Sequence, residues 1–459
     1  MQNTVHLLRT RRFLPIFTTQ FLGAFNDNLF RTSMVMLVIY GIYRDAEQEA
    51  AFSAIAGGLF ILPFFLLSAL SGQLADERDK AAIVRIVKTV EILIMIAGAA
   101  GLLLHNVPLL LLALCAMGVH STFFGPIKYA ILPQHLEADE VLGGTGLVEA
   151  GTYIGILGGT LLGGVLVLQR PDGSFHAEFA AIAVLVVAAI GRVSGQFVPP
   201  APPAPDAPPF HFDWHIVRAS RTLVSNTLHI PRLFLAIIAI SFFWAMGAIL
   251  AAQFPPLVKN ALGADQTVAT LFLATFSVGV AIGSVAVNRL LGGQVSARYS
   301  PASALLMGLF VLDLFRRVKG WPDPAAELRN LEAFLAVPNS WMIVIDLLGV
   351  AISGGMFVVP LYAFLTTTVP KSETARTIAA NNIVNSGLMV AATLILTGAV
   401  QVGVTVADSL LIVAGATVVS AWLGWKLHRA CELSGQENCH EQKAAGESQR
   451  EQPKVVDEA

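Results

Sequence analysis

Residues 13–41 read FLPIFTTQFLGAFNDNLFRTSMVMLVIYG, and the nature of this stretch decides the fold. A spanning helix needs roughly 20 mostly apolar residues to cross about 30 Å of hydrocarbon. The run is too long for the apolar core of a cleaved signal peptide, and its centre carries Asn26, Asp27 and Asn28. It therefore stays in the chain as a first membrane span. Further apolar stretches follow at 53–74, 82–104, 107–127, 141–168, 178–198, 233–257, 267–291, 298–315, 341–364, 377–401 and 406–426, which makes twelve spans. They are apolar on all sides without two-residue alternation, which predicts helices and not a barrel. Gly155, Gly158, Gly159, Gly163 and Gly164 crowd one of them. Small residues let helix backbones approach closely in lipid.

Composition points the same way. Of 459 residues, 55% are hydrophobic and 13% charged, and Lys plus Arg at 29 nearly balance Asp plus Glu at 31. The mean hydropathy is +0.68. A chain this apolar cannot cover a globule with polar surface, so a soluble enzyme is excluded. A net charge of −2 gives no electrostatic case for nucleic acid. Cys115, Cys431 and Cys439 are too few for a disulfide framework. Lys and Arg concentrate in alternate loops in a way that puts both termini in the cytoplasm, with the loop 313–340 as the main exception.

The proline-rich stretch 199–213, PPAPPAPDAPPFHFD, cannot be a membrane helix and divides the chain. The expected organisation is a six-helix bundle over 1–198, a cytoplasmic linker over 199–231, a second six-helix bundle over 232–428 and a disordered cytoplasmic tail over 429–459. A weak echo supports duplication. Gly125-Pro126-Ile127-Lys128-Tyr129 and Pro133 precede Gly151, as Val359-Pro360-Leu361-Tyr362 and Pro370 precede Gly387. Parallel six-span repeats are a common transporter plan. Within the linker, Trp214 to Leu228 reads as an amphipathic helix, with Trp214, Val217, Leu223 and Leu228 available to lipid, or as a plain spacer. In the loop 313–340, Asp323-Pro324 predicts a helix start, and Leu328, Leu331, Phe334 and Leu335 fall on one face. That segment reads as a helix on the outer membrane surface or as a solvated connector.

Charges inside spans are costly, and each is a candidate functional residue. Asp27 lies one helical turn from Arg31, with Asn28 between them. The two either neutralise each other or form a polar site. Glu149 has no cation beside it in sequence, so it pairs across helices, binds substrate or carries a proton. Asn381 and Asn385 share a face with Asn382 nearby, and they serve as interhelical hydrogen bonds or as readers of a phosphate or glycerol. Gln20, Lys128, His120 and Trp244 are further cavity candidates, whereas Glu91 and Asp346 read as structural. The loop Gly72-Gln73-Leu74-Ala75-Asp76-Glu77-Arg78-Asp79-Lys80 reads as a gating element: Gly72 permits close approach, and Asp76, Arg78 and Lys80 latch helix ends by charge pairs. Gly283 through Arg289 and Gly293 form a degenerate counterpart. There is no GxxxxGK[ST] and no HExxH, and His428, Cys431, Cys439 and His440 match no zinc spacing. No cofactor or metal is expected.

The Gly72–Lys80 loop resembles the cytoplasmic loop signature of the major facilitator superfamily, with Asp79 where glycine is frequent. Gln20-Phe21-Leu22-Gly23-Ala24-Phe25-Asn26-Asp27-Asn28-Leu29-Phe30, Phe124-Gly125-Pro126-Ile127-Lys128-Tyr129 and Ala379-Ala380-Asn381-Asn382-Ile383-Val384-Asn385 are similar to the bacterial lysophospholipid transporter family, LplT type, over all twelve spans. The 313–340 insertion and the long tail depart from that family's compact pattern. The resemblance implies an inner-membrane protein that moves lysophospholipids, chiefly lysophosphatidylethanolamine, from the outer to the inner leaflet by alternating access. A separate cytoplasmic acyltransferase then re-acylates the product. A proton-coupled exporter of amphipathic drugs is the alternative, with Asp27 and Glu149 as proton carriers. A membrane scaffold is a third class that the buried carboxylates disfavour.

Overall fold

The computed structural model describes residues 4–43, 46–169, 175–203, 212–322 and 328–450. Its helices are α1 (Leu14–Met36), α2 (Ala46–Glu77), α3 (Lys80–Leu103), α4 (Val107–Ala130), α5 (Leu132–His135), α6 (Val141–Leu166), α7 (Glu178–Gln196), α8 (Ile216–Leu228), α9 (Pro231–Pro256), α10 (Gln266–Leu291), α11 (Ser300–Lys319), α12 (Leu331–Ala336), α13 (Ser340–Thr367), α14 (Thr374–Gln401) and α15 (Val406–Arg450). Twelve of these have 19 residues or more, and each covers one of the twelve apolar stretches. A 3₁₀ turn (Thr4–Arg9) precedes α1, and π-helical turns extend α1 and α9. Leu168–Gln169 and Phe175–His176 pair as a minute antiparallel ribbon.

Ten of the twelve are long and apolar enough to cross a membrane by themselves. The other two, α1 and α11, carry the polar residues Asn26, Asp27, Asn28 and Arg31, and Asp313, Arg316 and Arg317. They are held by packing. Helix α1 lies against α6 and α7, and α11 lies against α13 and α15. Helices α1–α7 pack mainly with one another, as do α9–α15. The two sets meet where α6 faces α10 and α13, and where α2 and α4 face α14. The chain is an all-α polytopic membrane protein built from two six-helix halves.

Its polarity is inside out. Ile182, Val186, Ile190 and Val193 on α7 are 50–59% exposed. Lys88, Glu91, Glu149 and Asn381 are buried. Lipid solvates the apolar belt, and polar groups can be satisfied only within the bundle. The glycines of α6 work as their spacing suggests. A Cβ on Gly155 would stand 2.9 Å from the Phe21 carbonyl oxygen, and one on Gly163 would stand 2.7 Å from that of Leu29. Gly159 between them abuts the Phe25 carbonyl, so three successive turns of α6 touch the backbone of α1.

Several expectations need correction. Helix α11 continues to Lys319, so Arg316, Arg317 and Lys319 form its last turn and not a loop. Cations there complement the helix C-terminus. In the connector that follows, the helix starts at Asn330, whose side chain accepts from the Ala333 N–H at 2.9 Å. Asp323-Pro324 lie outside the described residues. The connector is anchored to the bundle by part of its apolar face, while Leu328, Leu331 and Leu335 on that face stay exposed. Phe334 is fully buried against Trp321 and Phe272, and Arg329 bridges to the α9–α10 turn through its backbone and a 2.8 Å bond to the Leu262 carbonyl. Helix α8 splits the face predicted for lipid. Trp214 and Val217 are exposed, but Leu223 packs with Ala69, Leu70 and Ile383 against α2 and α14. Most of the proline-rich linker, residues 204–211, lies outside the described residues. The helical backbone of α15 is described from Val406 to Arg450. Ala, Glu, Gln and Lys in its C-terminal part favour helix once the preceding span has nucleated it.

Candidate functional site

A cavity of about 320 Å³ opens between the halves. One wall comes from α1 and α4 and carries Gln20, Asp27, Asn28, Arg31, His120, Ser121 and Lys128. The opposite wall comes from α9, α13 and α14, with Trp244, Tyr362, Asn382, Asn385 and Ser386. Phe60, Ile61 and Phe64 of α2 and Met389 of α14 close one side with apolar surface. Every formally charged side chain lining the cavity therefore belongs to the N-terminal half.

Of the two readings of Asp27 and Arg31, a neutralising pair and a polar site, the structure shows both side chains lining the cavity without pairing. Asp27 accepts from Ser121 Oγ at 2.7 Å, and no ion pair joins it to Arg31 among the described residues. Asn28 turns back to donate to the Ala24 carbonyl at 2.8 Å. Behind Asp27 lies a second layer. Lys88 Nζ meets Glu91 Oε2 at 2.6 Å, Asn26 donates to Glu91 Oε1 at 2.9 Å, and His120 Nε2 stands 3.4 Å from Glu91 Oε2. All four residues are buried. Lys88 also sits 5.5 Å from the centre of the Phe124 ring, an attractive placement for a cation. Glu91 is thus the hub that joins α1, α3 and α4, immediately behind the cavity wall.

Two candidate residues are displaced from the cavity. Glu149 accepts a hydrogen bond from the Tyr129 hydroxyl and does not line the open space. On α6, which is enclosed by α1, α10 and α13, Thr152 reaches the cavity and Glu149 does not. Asn381 is buried and faces the Tyr362 hydroxyl, so Asn382 rather than Asn381 joins Asn385 at the cavity. Asn385 in turn accepts from Ser241 Oγ at 2.5 Å. An aromatic seam between the halves joins Tyr129 and Tyr362 of the two repeat motifs with Trp244 and Tyr153. Tyr129 stacks on Tyr362 with ring centres 4.5 Å apart, Trp244 donates to the Tyr362 hydroxyl at 2.7 Å, and Tyr153 stacks on Trp244 at 6.5 Å.

The gating residues occupy the face that carries the N-terminus. Asp76 Oδ1 and Oδ2 accept from the backbone N–H groups of Ala375 and Arg376, each at 3.0 Å, and Oδ2 meets the Arg376 guanidinium at 3.1 Å. Helix α14 begins at Thr374 without a side-chain cap of its own, so Asp76 caps it from the other half. Gly72 makes room: a Cβ there would stand 2.6 Å from that of Ala379. Lys80 is buried and Asp79 caps α3, while Arg78 and Arg289 are exposed and form no ion pair among the described residues. In the counterpart loop, Gly293 with φ +84° lies against the Asp139 carbonyl.

The major facilitator superfamily model matches residues 16–393. The chain belongs to the major facilitator superfamily. Like other members of the major facilitator superfamily, it is a multi-pass membrane protein of a transporter family. It is 27% identical over 404 residues to the lysophospholipid transporter LplT of Pectobacterium carotovorum subsp. carotovorum, covering 87% of this chain and 89% of that one. Identity to the protein of the same name from Citrobacter koseri is 26% over 414 residues, covering 88% and 94%. In fold it resembles the crystal structure of the human organic anion transporter MFSD10 (TETRAN), with a TM-score of 0.70, 13% identity and coverage of 90% and 99%.

Proposed function

We propose that this protein transports lysophospholipids, chiefly lysophosphatidylethanolamine, from the outer to the inner leaflet of a bacterial inner membrane, with both termini in the cytoplasm. The observation that carries the reading is the cavity's division into a charged wall and an apolar side. Arg31 and Lys128 suit a phosphate and Asp27 suits an ammonium, while Phe60, Ile61, Phe64 and Met389 suit the first part of an acyl chain. At about 320 Å³ the cavity is at the small end of ligand sites, which run from roughly 300 to 1,000 Å³. A headgroup fits inside it, and the rest of the single acyl chain trails sideways between α2 and α14 into lipid. The relatives named as lysophospholipid transporters support the substrate class. Rocking of the halves about the Tyr129–Tyr362 seam presents the site to each leaflet in turn. The product is re-acylated by a separate cytoplasmic acyltransferase. Glu149 acts by holding Tyr129 in place.

The test is leaflet transfer of fluorescent lysophosphatidylethanolamine in proteoliposomes without an ion gradient. Transfer by the unmodified protein is expected. Asp27→Asn and Arg31→Gln should each reduce it roughly tenfold or more, because a hydrogen bond to a charged group is worth about 1.5–3 kcal/mol. Absence of protein-dependent transfer would end this reading.

A second reading, a proton-coupled exporter of amphipathic compounds, is favoured by the buried line Asp27–Ser121–His120–Glu91 running inward from the cavity. It requires that transport stop when the proton gradient is collapsed.

A further inference from the structure

A second cavity, of about 680 Å³, lies apart from the central one on the face that carries the N-terminus. It is bounded by residues 9–18, by Arg85 near the start of α3, by the C-terminal end of α7 and by residues 197–200 of the linker. Arg9, Arg11 and Arg85 all line it, and no carboxylate does. Their neighbours are paired: Arg12 is held by Glu140 at 2.6 Å, and Arg192 donates to Thr89 at 2.7 Å. By contrast, none of the three lining arginines forms an ion pair among the described residues, and Arg85 Nε is buried without a hydrogen-bond partner there. Three guanidinium groups with no ion-pair partner among the described residues line one space, an arrangement that suits an anion.

The rest of the lining indicates the kind of anion. Leu14 and Phe197 border the same cavity and are 43% and 68% exposed, so the charged space opens directly onto apolar surface. Its linker wall is fixed in place. The Ala201 carbonyl accepts from the Lys80 N–H at 3.0 Å, and the Ala201 N–H donates to Asp79 Oδ1 at 2.7 Å. We infer that this cavity is a binding site for the phosphate headgroup of an anionic membrane phospholipid, with Arg9, Arg11 and Arg85 around the phosphate and the acyl chains along Leu14 and Phe197. Basic pockets between spanning helices at a membrane surface take such headgroups. The site is distinct from the transport cavity and uses none of its residues, so it stands whether or not lysophospholipid is the cargo.

The experiment uses the full-length protein in detergent, stripped of lipid, and reads bound lipid by native mass spectrometry together with the melting temperature. The probes are dioleoylphosphatidylglycerol, dioleoylphosphatidylcholine and inorganic phosphate. Phosphatidylglycerol is expected to bind and to raise the melting temperature, and the other two are not. Each arginine replaced among Arg9→Gln, Arg11→Gln and Arg85→Gln should weaken phosphatidylglycerol binding about fivefold. Arg298→Gln, an exposed arginine outside the cavity, should leave it unchanged. Equal binding of phosphatidylcholine, a full effect from inorganic phosphate alone, or native affinity in the triple variant overturns the proposal. Should the triple variant fail to fold, native affinity in Arg9→Gln/Arg11→Gln, which alters only exposed side chains, overturns it equally.

Discussion

Asp76 on α2 holds Arg376 on α14 twice, through the backbone N–H at 3.0 Å and through the guanidinium at 3.1 Å. The first contact completes a helix start and the second balances charge, and both cross from one half of the transporter to the other. Asp76 therefore adds a polar tie to the packing of α2 against α14 that closes this face. Asp76→Ala is expected to loosen it by about 1–2 kcal/mol, the usual worth of a helix cap, and so to raise the population open on that side roughly five- to thirtyfold. Spin labels placed at the ends of α2 and α14 would report the shift as a longer distance component. An unchanged distribution would mean that packing at Gly72 alone keeps the ends together.

Tyr129 supplies the hydrogen bond that Glu149 has across helices. Tyr129→Phe should lower stability by about 1–3 kcal/mol, because it leaves a buried acceptor unsatisfied. Glu149→Gln keeps an acceptor for the hydroxyl and should cost less. Thermal unfolding of the two variants in the same detergent ranks them, and the reverse order would refute the pairing.

Lys88 and Glu91 are a buried ion pair with fixed partners on both sides. Lys88→Met alone strands the carboxylate and is expected to cost about 3–5 kcal/mol, whereas Lys88→Met with Glu91→Leu should recover most of that loss. Additive losses in the double variant would show that the two groups do not depend on each other.

The α1–α6 contact tolerates no side chain at Gly159. Gly159→Leu should abolish folded, monodisperse protein in size-exclusion chromatography. Gly164→Ala, where the nearest atom to a new Cβ is the Met36 methyl at 3.8 Å, should behave as the unmodified protein does.

Outside the membrane, Arg218 hydrogen-bonds the Asp213 carboxylate and holds its pKa at about 2, below the usual value near 3.9. A depressed carboxylate stabilises the fold above its unfolded pKa and loses that contribution as pH falls through the folded one. Protection of the amides at the start of α8, corrected for the intrinsic pH dependence of exchange, should therefore be flat above about pH 4 and fall between pH 4 and 2. Arg218→Gln should move that fall to higher pH.

The architecture was legible because run length in lipid is a direct physical requirement. Even α1 and α11, too polar to span by themselves, stood out as interrupted apolar runs. Asp27, Arg31, Gln20, Lys128 and Asn385 could be named because charge and amide groups inside spans must have a reason to be there, and all five line the cavity. What could not be read is which helices close on one another. Glu91 reads as structural from its place near a span end, but the approach of Asn26 and His120 from α1 and α4 has no sign in the sequence. For the same reason Glu149 and Asn381 were placed in the cavity and lie behind it. The rotation of α6 and α14 about their own axes is set by neighbours far along the chain.

The arrangement of the buried charges also bears on how the chain is made. Both members of the Lys88–Glu91 pair sit on α3, so Glu91 can leave the ribosome and enter the bilayer with its counter-charge before α4 has been synthesised. Glu149 has no such companion on α6, but Tyr129 precedes it in the chain and is already membrane-resident when α6 arrives. Asp346 on α13 likewise finds Arg317 waiting on the earlier α11. For these acids, the order of translation supplies the partner before or together with the charge, and insertion proceeds without exposing a bare carboxylate to hydrocarbon.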